Sequence, residues 1–123
     1  MTITKPLRIA VALSYLLLIS LLFFLPGSAF PRRSWLNAIL FDKCVHIGLF
    51  AIFAWLWCWA LRIYGIKSLA VVLIVLLGYG VGVEIVQDAW IANRSFDTMD
   101  ILADGIGGVI GLLFWNRQGY KKK

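Results

Sequence analysis

Charge is what this chain has least of. Asp, Glu, Lys and Arg make up 15% of its 123 residues, against 62% hydrophobic, whereas a soluble globular domain carries about 25% charged residues. That shortage excludes a water-soluble domain and leaves the bilayer as the solvent. Acids number only six and histidine one. There is no closely spaced His/Cys cluster and no HExxH, so no dedicated metal centre and no cofactor are expected, although an oxygen-rich divalent-cation site stays open. No Ser, Thr or Cys stands beside a local base, which argues against nucleophilic catalysis. Cys44 and Cys58 share one predicted helix fourteen positions apart, about 21 Å at helical rise, too far for a disulfide.

What the chain does have is long apolar runs, at 7–25, 44–61, 68–86 and 101–115. A spanning helix needs about 20 residues, so the fourth run reaches across only if the turn of chain before it is included. The expectation is a single all-α domain over 1–123, an integral membrane four-helix bundle with helices at about 7–25, 44–63, 68–87 and 98–115. Residues 32–42 are expected to form a short interfacial helix capped by Ser34, with Trp35, Leu36, Ile39 and Leu40 on one face; the alternative is a tilted extension of the second helix. Lys5, Arg8 and the small residues Gly27 to Ala29 also fit a signal peptide, but an apolar core over 9–25 exceeds the roughly 7–15 residues of a signal h-region.

Basic residues set the expected orientation. With the N-terminus inside, one face carries Lys5, Arg8, Arg62, Lys67, Arg117 and Lys121 to Lys123, and the other Arg32, Arg33, Lys43 and Arg94. Eight against four places both termini in the cytoplasm by the positive-inside rule. The formal net charge of +6 then belongs to the inner face, where it suits anionic headgroups, and nucleic-acid binding is not expected. All six acids, Asp42, Glu84, Asp88, Asp97, Asp100 and Asp104, fall toward the opposite end.

Those acids follow helical spacing. Asp97, Asp100, Asp104, Gly107 or Gly108, and Gly111 form one stripe of the fourth helix, and Gly80, Glu84, Gln87 and Asp88 one side of the third. The two glycine-bearing faces are expected to pack together, since small residues allow close backbone approach. At the start of the second helix Asp42 and His46 lie four apart, with Lys43 between. An ionised acid at the bilayer centre costs roughly 2.5–3.5 kcal/mol on insertion scales, so the expectation is a polar pocket facing outward. Arg94, with Arg32, Arg33 and Lys43, would suit phosphate. Bland alternatives stand beside each assignment: His46 as a packing residue, Arg94 as a headgroup anchor, Asp97 and Asp100 as first-turn acids favoured by the helix dipole. Trp55, Trp57 and Trp59 point to different faces and suit packing and lipid contact.

The same residues carry a resemblance. "DKCVHIGLF", "EIVQ", "NRSFDTMDILAD" and "GIGGVIG" resemble the ordered motifs of the VanZ-like membrane protein family, over about 42–111. The matching positions are Asp42, Lys43, His46, Glu84, Gln87, Arg94, Asp100 and Gly107; Asp104 stands where many members carry Asn. The resemblance implies a bacterial cytoplasmic-membrane protein of the cell envelope, in a family whose founding member is associated with low-level teicoplanin resistance. It supplies a context and no reaction.

The leading expectation is therefore a pocket that binds, and in one version modifies, an anionic lipid or a lipid-linked cell-wall precursor. Lys43, Gln87 and Arg94 would hold the ligand; His46, Glu84, Asp100 and Asp104 are the candidates for proton or cation work. A proton- or cation-coupled transporter or channel component, and a purely structural salt-bridged lock, are the alternatives. Self-association through the glycine faces is compatible with either.

Overall fold

The computed structural model describes residues 3–24, 35–91 and 98–121, with side chains except those of 35–42 and 119–121. They form four helices and no strand: α1 Lys5–Phe23, α2 Trp35–Leu61, α3 Ile66–Trp90 and α4 Thr98–Lys121. All four are long and apolar enough to cross a membrane, the architecture of a multi-pass membrane protein.

Local chemistry sets the helix ends. Thr4 caps α1, its hydroxyl accepting from the Leu7 amide, with Pro6 in the first turn, where a missing N–H does no harm. At the other end the Phe24 amide donates to the Ser20 carbonyl, two residues before Pro26. The α2–α3 turn is made by two residues in the left-handed region, Arg62 (φ 52°) and Gly65 (φ 95°). Glycine adopts that conformation without strain.

Residues 35–42 are not a separate interfacial helix. They are the first turns of α2, which runs unbroken for 27 residues, because no Pro or Gly occurs between Trp35 and Ile47 to interrupt it. At about 1.5 Å per residue α2 is roughly 40 Å long, longer than a hydrocarbon core of about 30 Å. Its stretch Lys43–Leu61 is by itself long and apolar enough to cross a membrane. The Ser34 cap lies outside the described residues.

α2 and α4 are the most intimately packed pair. A Cβ on Gly107 would run into the Ile47 carbonyl, and one on Gly111 into the Ala51 carbonyl and the Ala54 side chain. The expected glycine-to-glycine seam between α3 and α4 is thus corrected: the small-residue stripe of α4 docks on the backbone of α2. On α4's other side Gly105 and Gly108 face Leu77 and Leu73 of α3. Of the α3 glycines only Gly80 lies against a neighbour, the Asp104 carboxylate; Gly78 and Gly82 have open space beside them. The reason is geometric. Residues 107 and 111 are one turn apart, as are 47 and 51, so two backbones can meet along that pitch without intervening side chains.

Elsewhere the core is aromatic. Phe50 packs on Phe23, Phe53 and Tyr79, and Tyr15 meets Phe53 edge-on. The Tyr15 hydroxyl donates to the Leu49 carbonyl over 2.6 Å, and the Tyr79 and Ser20 hydroxyls are hydrogen-bonded at 2.7 Å. At the end opposite the acids, Trp55 stacks on Trp59 and meets Trp115, which donates to the Ile63 carbonyl. Trp55 donates to Gln118, and Arg8 reaches the Ala60 carbonyl. The start of α1 and the end of α4 therefore lie at the same end of the bundle, beside the α2–α3 turn.

Interhelical hydrogen bonds inside membranes average only about 0.6 kcal/mol, so close packing decides stability here. Gly107→Leu and Gly111→Leu are expected to abolish or strongly reduce accumulation of folded protein. Gly78→Ala, with nothing to meet, is expected to be neutral or to raise the unfolding temperature in detergent. Equal tolerance of all three substitutions would contradict the α2–α4 contact.

Candidate functional site

Three helices deliver ionisable and polar side chains to one layer. Lys43 and His46 come from the first half of α2, Glu84 and Gln87 from the last turns of α3, and Asp100 and Asp104 from the first turns of α4. His46 is 3% exposed, Glu84 0%, Asp100 5% and Asp104 2%. A buried charge of this kind persists only when protein groups meet it.

The partners are specific. Lys43 Nζ donates to Asp100 Oδ1 in an ion pair. His46 Nδ1 lies 2.6 Å from Asp104 Oδ1, and its other nitrogen, Nε2, lies 3.7 Å from Asp100 Oδ2. A carboxylate accepts and cannot donate, so the contact with Asp104 holds a proton on Nδ1 and, in the neutral ring, leaves the Nε2 lone pair facing Asp100. The ring itself is clamped by Phe23, stacked at a centroid distance of 5.1 Å and 24°. Gly80 makes room for Asp104, since an added Cβ there would come to 2.6 Å from Oδ2. Only glycine at position 80 leaves the carboxylate its place.

Gln87 has a different task from ligand binding in this arrangement. Its Nε2 donates over 2.7 Å to the carbonyl of Phe23, satisfying a backbone acceptor at the C-terminal end of α1, where no helical amide is available. It ties the helix bearing the His46 clamp to the helix bearing Glu84. Asp88 is exposed and does not belong to the buried layer. Arg94, Asp97, Arg32 and Arg33 lie outside the described residues, as does the Asp42 side chain.

Helical spacing in the sequence identified His46, Glu84, Asp100 and Asp104 as members of one layer. It gave no sign of Gly80 as the seat of Asp104 or of Phe23 as the clamp on His46. The first depends on how α3 faces α4, the second on where α1 ends, and neither is encoded in local periodicity. The sequence pointed away from a dedicated zinc-type centre, because it offered no closely spaced His/Cys ligands, and left only an oxygen-rich cation site open. In the fold, one ligand atom each of His46, Glu84 and Asp100 lies within 4.8 Å of the others.

A groove of about 440 Å³ beside Arg62, Tyr64, Ser68 and Val72 lies at the other end of the bundle, remote from these groups. Beneath the ionisable layer stand the Phe50, Phe53 and Tyr79 rings, which separate it from the end where the α2–α3 turn lies. Comparison with family models, curated proteins and solved structures found no match.

Because His46 is the sole histidine, its protonation pattern can be read directly. In ¹⁵N-histidine-labelled protein without a polyhistidine tag, long-range ¹H–¹⁵N spectra are expected to place a hydrogen-bonded proton on Nδ1. Asp104→Asn should preserve it through the amide oxygen, and Asp104→Leu should release the ring to the Nε2–H form. A wild-type ring protonated only at Nε2 would contradict the geometry.

Proposed function

We propose that this is a VanZ-like protein of the bacterial cytoplasmic membrane, with both termini inside, whose ionisable layer engages the phosphate-bearing headgroup of an anionic lipid or lipid-linked cell-wall precursor. The observation that carries the reading is the convergence of buried His46, Glu84, Asp100 and Asp104 with the half-buried Lys43 from three helices at one end of the bundle. Hydrophobic spans need no such layer to stay in a membrane, and intramembrane ionisable residues that face protein mark binding or proton-transfer sites. The closeness of Glu84, Asp100 and Asp104 to the ends of α3 and α4 supports a layer within reach of headgroups.

The division of labour follows from charge. Lys43 supplies a cation whose ammonium can pass from Asp100 to a phosphate oxygen, and Arg94, in the connection before α4, supplies a planar fork. His46, oriented by Asp104, can exchange a proton with a bound group at Nε2. Engagement of an envelope lipid or wall precursor would reduce susceptibility to teicoplanin by changing what that glycopeptide meets at the cell surface. The aromatic layer of Phe50, Phe53 and Tyr79 weighs against a continuous ion pathway across the bundle.

Native mass spectrometry of the detergent-solubilised chain with phosphatidylglycerol and phosphatidylcholine tests this reading. Preferential retention of the anionic lipid is expected, with Arg94→Ala and Lys43→Ala reducing it at least fivefold. Equal retention of both lipids, or retention unaltered by either substitution in folded protein, would overturn it.

A further inference from the structure

We propose that His46, Glu84 and Asp100 form a binding site for one divalent transition-metal ion, of the zinc or manganese kind, within the bundle. The site goes beyond the lipid reading and does not depend on it. Each residue comes from a different helix, all three are buried, and one ligand atom from each lies within 4.8 Å of the others. Protein nitrogen and oxygen ligands stand about 2.0–2.2 Å from zinc. Two neighbouring ligands of one ion are then roughly 3–4 Å apart, which is the relation of His46 Nε2 to Asp100 Oδ2 at 3.7 Å. That separation is too long for a hydrogen bond.

The surroundings repeat the logic of a ligating histidine. Metal-bound imidazoles donate their second N–H to a carboxylate, which fixes tautomer and ring plane. Asp104 stands in that position, 2.6 Å from Nδ1, with Phe23 stacked on the ring and Gly80 seating the carboxylate. Asp100 divides its oxygens similarly: Oδ1 receives the Lys43 ammonium, while Oδ2 faces His46. Asp100 would therefore ligate through one oxygen. An imidazole with two carboxylates selects a transition ion over Mg²⁺ or Ca²⁺, which favour all-oxygen shells.

Three protein ligands leave at least one coordination position for water or for an oxygen of a bound anion. The ion would also give the three helices a common tie at one end. No motif search finds this set, because its members stand 38 and 16 positions apart in the chain.

The test uses the full chain in detergent, purified without a polyhistidine tag, stripped with chelator and then dialysed against Zn²⁺ or Mn²⁺ alone. Close to one ion per chain is expected, undiminished by excess Mg²⁺ or Ca²⁺, and bound at least tenfold more weakly by Glu84→Gln and Asp100→Asn. Near-UV circular dichroism of the tryptophans reports whether each variant is folded. Pulsed electron paramagnetic resonance of the Mn²⁺-loaded wild type needs no variant: coupling to a single histidine nitrogen, altered by ¹⁵N-histidine labelling, is expected. Wild-type protein that retains no ion, retained Mn²⁺ with no histidine coupling, or folded variants that bind like the wild type would each overturn the proposal.

Discussion

A carboxylate buried inside a bundle of apolar helices must be met by protein groups, because hydrocarbon side chains offer neither hydrogen bonds nor countercharge. Three buried acids, Glu84, Asp100 and Asp104, impose that constraint on the whole chain, and much of the architecture is arranged around it. Lys43 and His46 have to come from α2 to meet the acids of α4. The imidazole of His46 reaches only a short way, so its contact with Asp104 requires α2 and α4 to lie close together. Gly107 and Gly111, set against the Ile47 and Ala51 carbonyls, provide that approach one and two turns below the ion pairs. Packing and electrostatics are thus two expressions of one requirement.

The other helices complete the enclosure. α3 brings Glu84 into the layer and, by lacking a side chain at Gly80, makes room for Asp104. α1 contributes no ionisable group to the layer; it lends a ring, Phe23, which stacks on His46, and the carbonyl of the same residue is satisfied by Gln87. An Asn at position 104 would offer an amide oxygen to the same Nδ1 proton. The acid adds a negative charge without changing the connectivity, which strengthens the hold on a cationic or metal-bound imidazole.

Much of this was legible in the sequence, for a definite reason. Apolar runs of spanning length and acids at three- and four-residue intervals are local properties, so four helices and a shared polar layer followed from spacing alone. Which helix met which did not. Gly107 and Gly111 fit a close contact with either neighbour, and the choice of α2 over α3 depended on the Ile47 to Ala51 backbone being open to approach. The same limit hid the roles of Gly80, Gln87 and Phe23, whose partners lie 24, 64 and 23 positions away. Residues 35–42 were ambiguous because an amphipathic start and a continuous helix share the same pattern, and only the absence of a breaker favoured continuity.

Ion pairs that hold helices together and a site that works on a ligand use the same residues, so stability alone does not separate them. The most direct measurement is teicoplanin susceptibility of a sensitive bacterium expressing the wild type or Asp100→Asn, read alongside the amount of folded protein in its membrane. A working site in the envelope requires that protection be lost while the protein level stays unchanged. Protection retained by the variant, or lost only in proportion to the protein, would contradict that claim and leave the buried layer as a lock on helix packing.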